Sequence, residues 1–493
     1  MPTADVWVGL DLGTQSVRAL AVTADGTVAG SGSRPLHGRR DGPRHEQDPD
    51  DWWRAVAAAG REALRDVDPA AVRGVAVDAT PGTVLLVDRE GTPLTPGLMY
   101  DDTRAAAEVD RVNEVGAAVW QELGYQRMQP AWALPKLLWL LREHADLAHR
   151  ARLAHQSDLV TSRLVGGPVA TDLSNALKTG AHLVDETWPT AVFDALGVPS
   201  HVLPPLVRPG TPLGTVCAAA AAETGLPVGT TVVAGATDGC AAQLGAGVLR
   251  PGSWNSVLGT TLVLKGVSRE LVRDPSGAVY SHKGPSGDWL PGGASSTGAG
   301  AISRDFPGAD LDDLNRRAAA YEPSGALTYP LVSTGERFPF VAPQAEGFRL
   351  GTPTDDGDRF AGVLQGVAFV ERLCFDHLDL LGAPLDGDLV LTGGATRSAY
   401  WCRLRADVLG RPVTLPVTAE PALGMAVLAA APGRDAAEVA AGMVRVREVV
   451  EPRPDGTARF VEAYVRFVDE LESRGWLPAE TAHHARSRGE KAS

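Results

Sequence analysis

The sequence lacks the short motifs of several large enzyme classes. It contains no G-x-x-x-x-G-K-[ST] segment, which excludes a P-loop nucleotide site, and no G-x-G-x-x-G between a strand and a helix, which argues against a dinucleotide-binding fold. It also contains no G-x-S-x-G or S-x-x-K segment, which argues against a hydrolase or a penicillin-binding enzyme. The chemistry of this chain must therefore be sought in other patterns.

Cysteines, long apolar runs and positive charge are also scarce. The four cysteines, Cys217, Cys240, Cys374 and Cys402, are scattered and form no CxxC pair or Cys/His cluster, so we expect neither a disulfide framework nor a zinc site. No apolar stretch reaches about 18 residues and no basic segment precedes an apolar run at the N-terminus, which predicts a cytoplasmic protein without a membrane span. The 46 basic and 60 acidic side chains give a net charge of −14, which disfavours nucleic acid and anionic lipid as partners.

What the chain does contain is a repeated strand pattern. Near the N-terminus, WVGLDLGTQSVRALAV places a Gly-Thr turn between two apolar strands, and WNSVLGTTLVLKGV at residues 254–267 repeats this arrangement. Two such hairpins, about half a chain apart, suggest an internal duplication with a ligand held between the copies. For 493 residues we therefore predict two α/β domains, 1–248 and 249–480, followed by a polar tail, 481–493, that frays.

The two Gly-Thr turns are candidate phosphate sites. Asp11, Gly13 and Thr14 place a carboxylate beside a flexible turn, whose N–H groups can face phosphate oxygens while the carboxylate holds Mg²⁺ through water. Gly259 and Thr260 form the second turn. Each turn alone could be an ordinary hairpin turn, and it is the pairing of the two that favours phosphate binding.

A third candidate is Asp238 in GATDG, where an apolar strand delivers one carboxylate among small residues at the start of a helix. As a general base it must reach a substrate hydroxyl, and its small neighbours leave room for one. A helix N-cap is the other role that this position allows. Glycine-rich stretches around Gly298 and Gly394 fit either a flat purine or ribose lying against backbone, or close helix–sheet packing.

Taken in order, several segments resemble the FGGY family of carbohydrate kinases. DLGTQSVRA, HEQDPDDWW, LMYDDTR, PKLLWL, GATDGC, SVLGTT, GERFPF and LTGGATRS follow the family's order along essentially the whole chain. The resemblance implies an α/β protein of two actin-like (ribonuclease H-like) ATPase domains, with an active-site cleft between them. It also implies ATP and Mg²⁺ as cofactors, a small-molecule sugar as substrate, and a monomer or homodimer.

The resemblance assigns roles to individual residues as well. The family's catalytic base falls on Asp238, and its Mg²⁺-associated carboxylates fall on Asp11 and Asp238. The residues that it assigns to the nucleotide are Gly13, Thr14, Gly259, Thr260, Gly298, Gly394 and Ser398. The residues that it assigns to the sugar are Thr80, Pro81, Gly82, Tyr100, Asp102 and Asp238.

The segment after residue 77 separates branches of the family. Glycerol kinases carry Arg-Glu there and xylulokinases carry Met-His, whereas DATPGTVLLVD resembles the T-S-G-T-V-L-L of the D-ribulose kinase-like branch. We therefore expect phosphorylation of the terminal hydroxyl of a ketopentose, with D-ribulose as the best substrate and xylulokinase or another polyol or ketose kinase as the alternative. Pro81 stands where the branch has Ser, so a hydrogen bond to the sugar is missing or is supplied by Thr80.

Two other classes of protein share part of this pattern. A chaperone or filament-forming ATPase could carry the duplicated hairpins, but it would need a peptide-binding domain or polymer contacts, and Asp238 in its small-residue setting argues against it. A catalytically silent sugar sensor would bind a sugar without turning it over. The intact Asp11, Thr14 and Asp238 argue against that reading.

Overall fold

The computed structural model describes residues 4–491, and these divide into two compact units. The first unit contains the residues up to Leu249 together with His282–Leu290 and Thr418–Arg445. The second contains Arg250–Ser281, Pro291–Val417 and the residues from Val446 onward. The first division lies next to the predicted boundary, whereas residues 418–445, expected in the C-terminal domain, belong to the first unit.

Two sheets and a short ladder form the β-structure of the first unit. A six-stranded sheet has the order β12-β13-β6-β1-β2-β3, and a five-stranded sheet has the order β4-β5-β8-β7-β9. The strands of the larger sheet are β1 Val6–Leu12, β2 Ser16–Thr23, β3 Val28–Pro35, β6 Val72–Ala79, β12 Pro212–Thr215 and β13 Thr231–Val233. Those of the smaller sheet are β4 Arg39–Asp41, β5 Arg44–Gln47, β7 Val84–Val87, β8 Gly97–Leu98 and β9 Arg152–His155, and the ladder pairs β10 Thr171–Asp172 with β11 Leu206–Val207.

The first unit also contains α-helices, some of which pack on its larger sheet. They are α1 Pro49–Ala63, α2 Val109–Glu122, α3 Ala133–Glu143, α4 Gln156–Val165, α5 Leu173–Ala176, α6 Thr190–Leu196, α7 Ala218–Thr224, α8 Asp238–Gly245, α13 Pro421–Ala430 and α14 Ala436–Met443. Strands β1 and β6 are apolar along their length because α1 and α4 pack with them in one core and α13 packs on them in turn. Helix α13 approaches so closely that a Cβ atom on Gly9 would lie 1.7 Å from the Ala422 carbonyl oxygen, so this position requires glycine.

The second unit repeats the arrangement around its own hairpin. Strand β14 is antiparallel to β15 and parallel to β20, as β1 is antiparallel to β2 and parallel to β6. The seven-stranded sheet has the order β16-β17-β15-β14-β20-β21-β22. Its strands are β14 Trp254–Leu258, β15 Leu262–Gly266, β16 Tyr280–Lys283, β17 Trp289–Ala294, β20 Leu389–Thr392, β21 Val413–Pro416 and β22 Val446–Val450, and a separate pair is β18 Leu327–Tyr329 with β19 Phe348–Leu350. The predicted α/β class with a mixed sheet in each domain is therefore confirmed.

Six helices complete the second unit. They are α9 Gly300–Asp305, α10 Leu311–Ala318, α11 Asp356–Leu380, α12 Ala399–Leu409, α15 Gly456–Ser473 and α16 Ala479–Lys491. Helix α11 is buried along nearly its whole length, and its Glu371 accepts two hydrogen bonds of 2.7 Å from the Arg405 guanidinium of α12. This ion pair is completely buried and joins two central helices of the core.

The prediction that the tail from residue 481 frays is wrong over its described part. Helix α16 buries Ala482 and Ala485 completely, and Arg488 lies 2.9 Å from Asp376 and 2.6 Å from Asp379 of α11. The segment looks polar in sequence because its buried face consists of small alanines, which carry little hydrophobic signal. Among residues 4–491, no helix is long and apolar enough to cross a membrane.

Candidate active site

Strand register brings two carboxylates together at one edge of the first unit's larger sheet. In the parallel pair of β1 and β6, Asp11 lies directly opposite Asp78. Across the antiparallel pair of β1 and β2, Asp11 lies opposite Arg18. The same register pairs Leu12 with Ala79, the last residues of the two strands, so the two aspartates occupy neighbouring strand ends.

A third carboxylate comes from the start of α8. Thr237 forms an isolated parallel bridge with Ala79, which places the first residue of α8, Asp238, beside the end of β6. The N-cap of α8 is Thr237, whose hydroxyl oxygen accepts from the backbone N–H of Cys240 at 3.4 Å. The capping role that Asp238 might have had therefore belongs to its neighbour, and Asp238 accepts the N–H of Gly239 at 2.6 Å.

The three carboxylates perturb one another. Burial, together with the charge of Asp238, raises the pKa of Asp11 to about 6, although Arg18 opposes the shift. Complete burial and the charges of Asp11 and Asp238 raise the pKa of Asp78 well above its usual range, which favours its protonated form. Like charges this close cannot all be ionised, and a site of this kind favours either a shared proton or a bound cation.

The predicted Mg²⁺ site is compatible with this arrangement. Neither carboxyl oxygen of Asp78 makes a well-formed hydrogen bond within residues 4–491, and Asp11 and Asp238 supply negative charge next to it. In the same range, no group of three or more His, Cys, Asp or Glu side chains has the arrangement of a direct metal cage. Mg²⁺ keeps most of its waters and needs one or two carboxylates, so Asp11 and Asp238 fit it without a cage.

The first Gly-Thr turn follows Asp11, and hydrogen bonds to its backbone fix its conformation. The Gly13 N–H donates to the Ser16 carbonyl at 3.1 Å, which closes the turn between β1 and β2. The buried side chain of Gln47 on β5 donates to the Thr14 carbonyl at 2.7 Å and accepts from the indole N–H of Trp52 at 2.6 Å. A buried amide bonded on both sides fixes the turn's backbone, which is what a rigid phosphate loop requires.

The predicted sugar segment is a type II turn. The N–H of Thr83 donates to the Thr80 carbonyl at 3.3 Å, and Gly82 has a φ of 92°, as the third position of such a turn demands. Pro81 occupies the second position, which its ring favours, so its presence in place of serine has a conformational reason. Lys178 donates to the Pro81 carbonyl at 3.3 Å, and Lys136 to the Gly82 carbonyl at 2.9 Å.

Tyr100 and Asp102, which are also predicted to contact the sugar, differ in their exposure to solvent. Tyr100 is 40% exposed, and partial burial together with the charges of Asp101 and Asp238 raises its pKa. Asp102 is completely buried, accepts the backbone N–H of His45 at 2.7 Å and binds the Arg104 guanidinium at 2.7 Å. The prediction that Asp102 contacts the sugar is not supported by this placement, because its oxygens already hold Arg104 and β5.

In the second unit, the Gly259–Thr260 turn connects β14 to β15. The Gly259 N–H donates to the Thr261 carbonyl at 3.1 Å, and the N–H groups of Ala299 and Gly300 donate to the carbonyls of Gly259 and Thr260 at 2.9 and 3.0 Å. A Cβ atom on Gly298 would lie 2.5 Å from the Thr260 carbonyl oxygen. Gly298 is therefore required for the packing of the segment that supports this turn, in addition to any role towards a nucleotide.

The remaining predicted nucleotide residues follow β20. A Cβ atom on Gly394 would meet no atom within 4 Å, so this backbone is open to a ligand. The Ser398 hydroxyl caps α12 by accepting the Trp401 N–H at 3.1 Å, and it donates to the amide oxygen of Asn315 at 2.8 Å. Gly394 fits the predicted contact with a nucleotide, whereas Ser398 has a structural role of its own.

Sequence reasoning missed Asp78, Gln47 and Lys136. The signal for Asp78 was present, because VWVGLDL and VRGVAVDA are two apolar strands that each carry an aspartate next to the last residue of the strand. Gln47 and Lys136 lie within HEQDPDDWW and PKLLWL, two of the segments that resemble the family. Their roles could not be predicted from those segments, because they donate to backbone carbonyls far away in the sequence.

Comparison with known protein families matches both units. Residues 6–245 match the FGGY family of carbohydrate kinases, N-terminal domain, and residues 255–432 match the C-terminal domain of the same family. Among named relatives, the xylulose kinase of Streptomyces coelicolor is 35% identical over 454 residues, which is 88% of this chain and 89% of the relative.

Solved structures agree with this assignment. A xyloylose kinase from Brucella ovis has a TM-score of 0.86 at 27% identity, covering 95% of this chain and 99% of that one. The glycerol kinase of Plasmodium falciparum, solved with ADP, has a TM-score of 0.84 at 17% identity, covering 97% of this chain and 99% of that one. At this identity the second structure shows a shared fold alone.

The raised pKa of Asp11 predicts a pH-dependent gain of stability for Asp11→Asn. Between about pH 4 and pH 6 the folded protein keeps a proton that the unfolded chain loses, so rising pH costs stability through this window. Urea unfolding without divalent metal should show Asp11→Asn more stable than the wild type at pH 7.5, by up to about 3 kcal/mol, with the difference falling to about 1 kcal/mol at pH 4.5. Asp41→Asn, at an exposed site on β4, is the control, and an equal difference at both pH values would contradict the prediction.

Proposed function

We propose that this chain, which belongs to the FGGY family of carbohydrate kinases and is therefore a sugar phosphotransferase, transfers the terminal phosphoryl group of ATP to the terminal hydroxyl of a ketopentose. The observation that carries this proposal is the position of Asp238. It begins a helix that is capped by another residue, and it lies beside the strand ends that carry Asp11 and Asp78.

In this proposal Asp238 accepts the proton of the attacking hydroxyl. A general base must lie within hydrogen-bond reach of the proton that it removes, and the small residues on either side of Asp238 leave space for a hydroxymethyl group. Burial raises the pKa of Asp78, which disfavours a second negative charge beside Asp238. The hydroxyl oxygen then forms a bond to the γ-phosphorus as the bond to the β,γ-bridging oxygen of ATP breaks.

The two Gly-Thr turns are proposed to bind the phosphates. Gly13 and Thr14 are held by Gln47, and Gly259 and Thr260 by the segment after Gly298, so each turn presents fixed backbone groups. Positioning and charge neutralisation supply most of the catalysis of phosphoryl transfer. Mg²⁺, when bound at Asp11 and Asp238, would neutralise charge on the phosphates.

Two ketopentoses are candidate substrates. The relatives favour D-xylulose, because the Streptomyces coelicolor protein that is 35% identical over most of this chain is a xylulose kinase. The turn at residues 80–83 favours D-ribulose, since it carries Thr-Pro-Gly-Thr without the Met-His expected of xylulokinases. The two sugars are epimers at C3, so one hydroxyl decides between them. We place D-xylulose first and D-ribulose second.

Asp238→Asn is expected to abolish turnover. The substitution keeps the shape of the side chain and removes the proton acceptor, and loss of a general base typically costs about 100- to 10,000-fold in kcat. A coupled assay of ADP release with the wild-type enzyme's best sugar gives kcat, and calorimetry with ATP should give a nearly unchanged affinity. Asp41→Asn, at an exposed site, serves as the matched control. A kcat within about tenfold of the wild type would reject Asp238 as the base.

Gly259→Val is expected to weaken nucleotide binding without disturbing the fold. An added Cβ atom would meet only the Thr261 carbonyl oxygen, at 4.0 Å, so the turn has room for it, whereas the branched side chain would obstruct approach to the backbone N–H groups. Calorimetry with ATP and Mg²⁺ measures the loss. Gly167→Val is the control, because a Cβ there also meets no atom within 4 Å. Unchanged ATP affinity in a folded Gly259→Val protein would remove this turn from the site.

The substrate itself is tested by ADP release with D-xylulose, D-ribulose, L-ribulose, L-xylulose, ribitol and glycerol. We expect kcat/KM to be highest for D-xylulose, with D-ribulose within about tenfold, because one misplaced neutral hydrogen bond costs about 0.5–1.5 kcal/mol. Pro81→Ser should leave either value within a few-fold, since the turn rather than a hydroxyl is what Pro81 provides. A preference for D-ribulose beyond tenfold would reverse the order of the two candidates, and a preference for glycerol would reject the ketopentose assignment.

A further inference from the structure

The side chain of Lys136 lies completely buried beneath the proposed sugar site. It projects from α3, and its Nζ donates to two backbone carbonyls, those of Gly82 at 2.9 Å and Met99 at 2.6 Å. Gly82 belongs to the turn at residues 80–83, and Met99 immediately precedes Tyr100. One amine therefore joins the two segments that carry the proposed sugar contacts.

Few backbone hydrogen bonds connect the turn at residues 80–83 with the segment that contains Met99 and Tyr100. Strand β7 follows the turn and strand β8 precedes Met99, and in the described residues these two strands pair only through Val84 and Leu98. Beyond that pair, the turn and the residues after Met99 have no ladder in common, and the Lys136 hydrogen bonds take its place. We refer to the two hydrogen bonds from Nζ as the Lys136 bridge.

We propose that Lys136 is a positioning residue for the sugar, and that the Lys136 bridge sets the spacing between the turn at residues 80–83 and Tyr100. This inference rests on the proposed function, because it assumes that these two segments bind a ketopentose. It predicts that loss of the bridge changes the KM for the sugar and leaves the KM for ATP nearly unchanged. If the lysine only supported the core, its loss would lower the stability of the fold without changing the KM for the sugar relative to the KM for ATP.

The charge of Lys136 changes near neutral pH. Burial lowers its pKa to about 7, which Asp102 and Asp101 oppose and which Lys178 and Arg104 reinforce. A neutral amine has two N–H groups and can still serve both carbonyls, whereas an ammonium makes charge-assisted and stronger hydrogen bonds. The bridge should therefore be tighter below pH 7 and looser above it.

Lys178 provides a matched control. It also donates to a carbonyl of the same turn, that of Pro81 at 3.3 Å, and the Lys136 bridge is formed by a different side chain. Lys178→Met thus removes a cation and a hydrogen bond from the turn but leaves the two segments joined. Lys136→Met removes the link itself while keeping an unbranched side chain of similar length.

The first experiment compares the KM values of wild type, Lys136→Met and Lys178→Met for the best sugar and for ATP. We expect Lys136→Met to raise the sugar KM by about tenfold to a hundredfold, the cost of a displacement of about 1 Å, with the ATP KM within about twofold. Lys178→Met should change the sugar KM by less than about threefold. Equal effects of the two variants, or a Lys136→Met protein with a wild-type sugar KM, would overturn the positioning role.

A second measurement needs no variant and covers the case in which Lys136→Met does not fold. The sugar KM of the wild type, followed from pH 6 to pH 8.5 at saturating ATP, should rise several-fold across a midpoint near pH 7, while the ATP KM shows no matching step. A flat profile would overturn the inference. A wild type inactive on every ketopentose would instead reject the proposed function, so the two failures are distinguishable.

Discussion

The pairing of Asp11 with Asp78 on adjacent parallel strands is the constraint on which the site depends. It forces two carboxyl groups to the same edge of a buried sheet, and Asp238 joins them from α8. Such a group is stable only if a proton or a cation offsets the charge, and here burial raises the pKa of both Asp78 and Asp11. Grouping buried carboxylates in this way costs free energy of folding and does not stabilise the fold, which is the pattern expected of a reactive site.

The packing of the first unit keeps these strands in register. Helix α13 lies against β1 at a distance that only Gly9 permits, and Gly235 makes the same kind of approach to the Val77 carbonyl, where an added Cβ would lie 1.8 Å from oxygen. A shift of β1 by one residue would turn Asp11 to the other face of the sheet. The glycines and alanines of this layer thereby fix the strand register, and the register fixes the carboxylates.

In each unit, buried polar side chains hold the loops through hydrogen bonds. Gln47 holds the turn at Thr14, Lys136 holds the turn at Gly82, and in the second unit Glu336 accepts the Ser296 N–H at 2.6 Å and the Tyr329 hydroxyl at 2.8 Å. Buried polar groups are costly unless they are satisfied, so each of these contacts defines one loop geometry sharply. In surface loops that bind a substrate, such contacts fix the backbone conformation.

The sequence predicts the duplicated Gly-Thr hairpins and the α/β class, and it marks Asp11 and Asp238 as candidate site residues, because strand periodicity and turn residues are local properties. It did not determine that Asp78 faces Asp11, that Asp102 is occupied by Arg104, or that residues 418–445 pack with the first unit. It also misjudged residues 479–491, where a helix that packs through small alanines carries little apolar signal. These features depend on register and on contacts between residues far apart in the chain, which only the tertiary structure fixes.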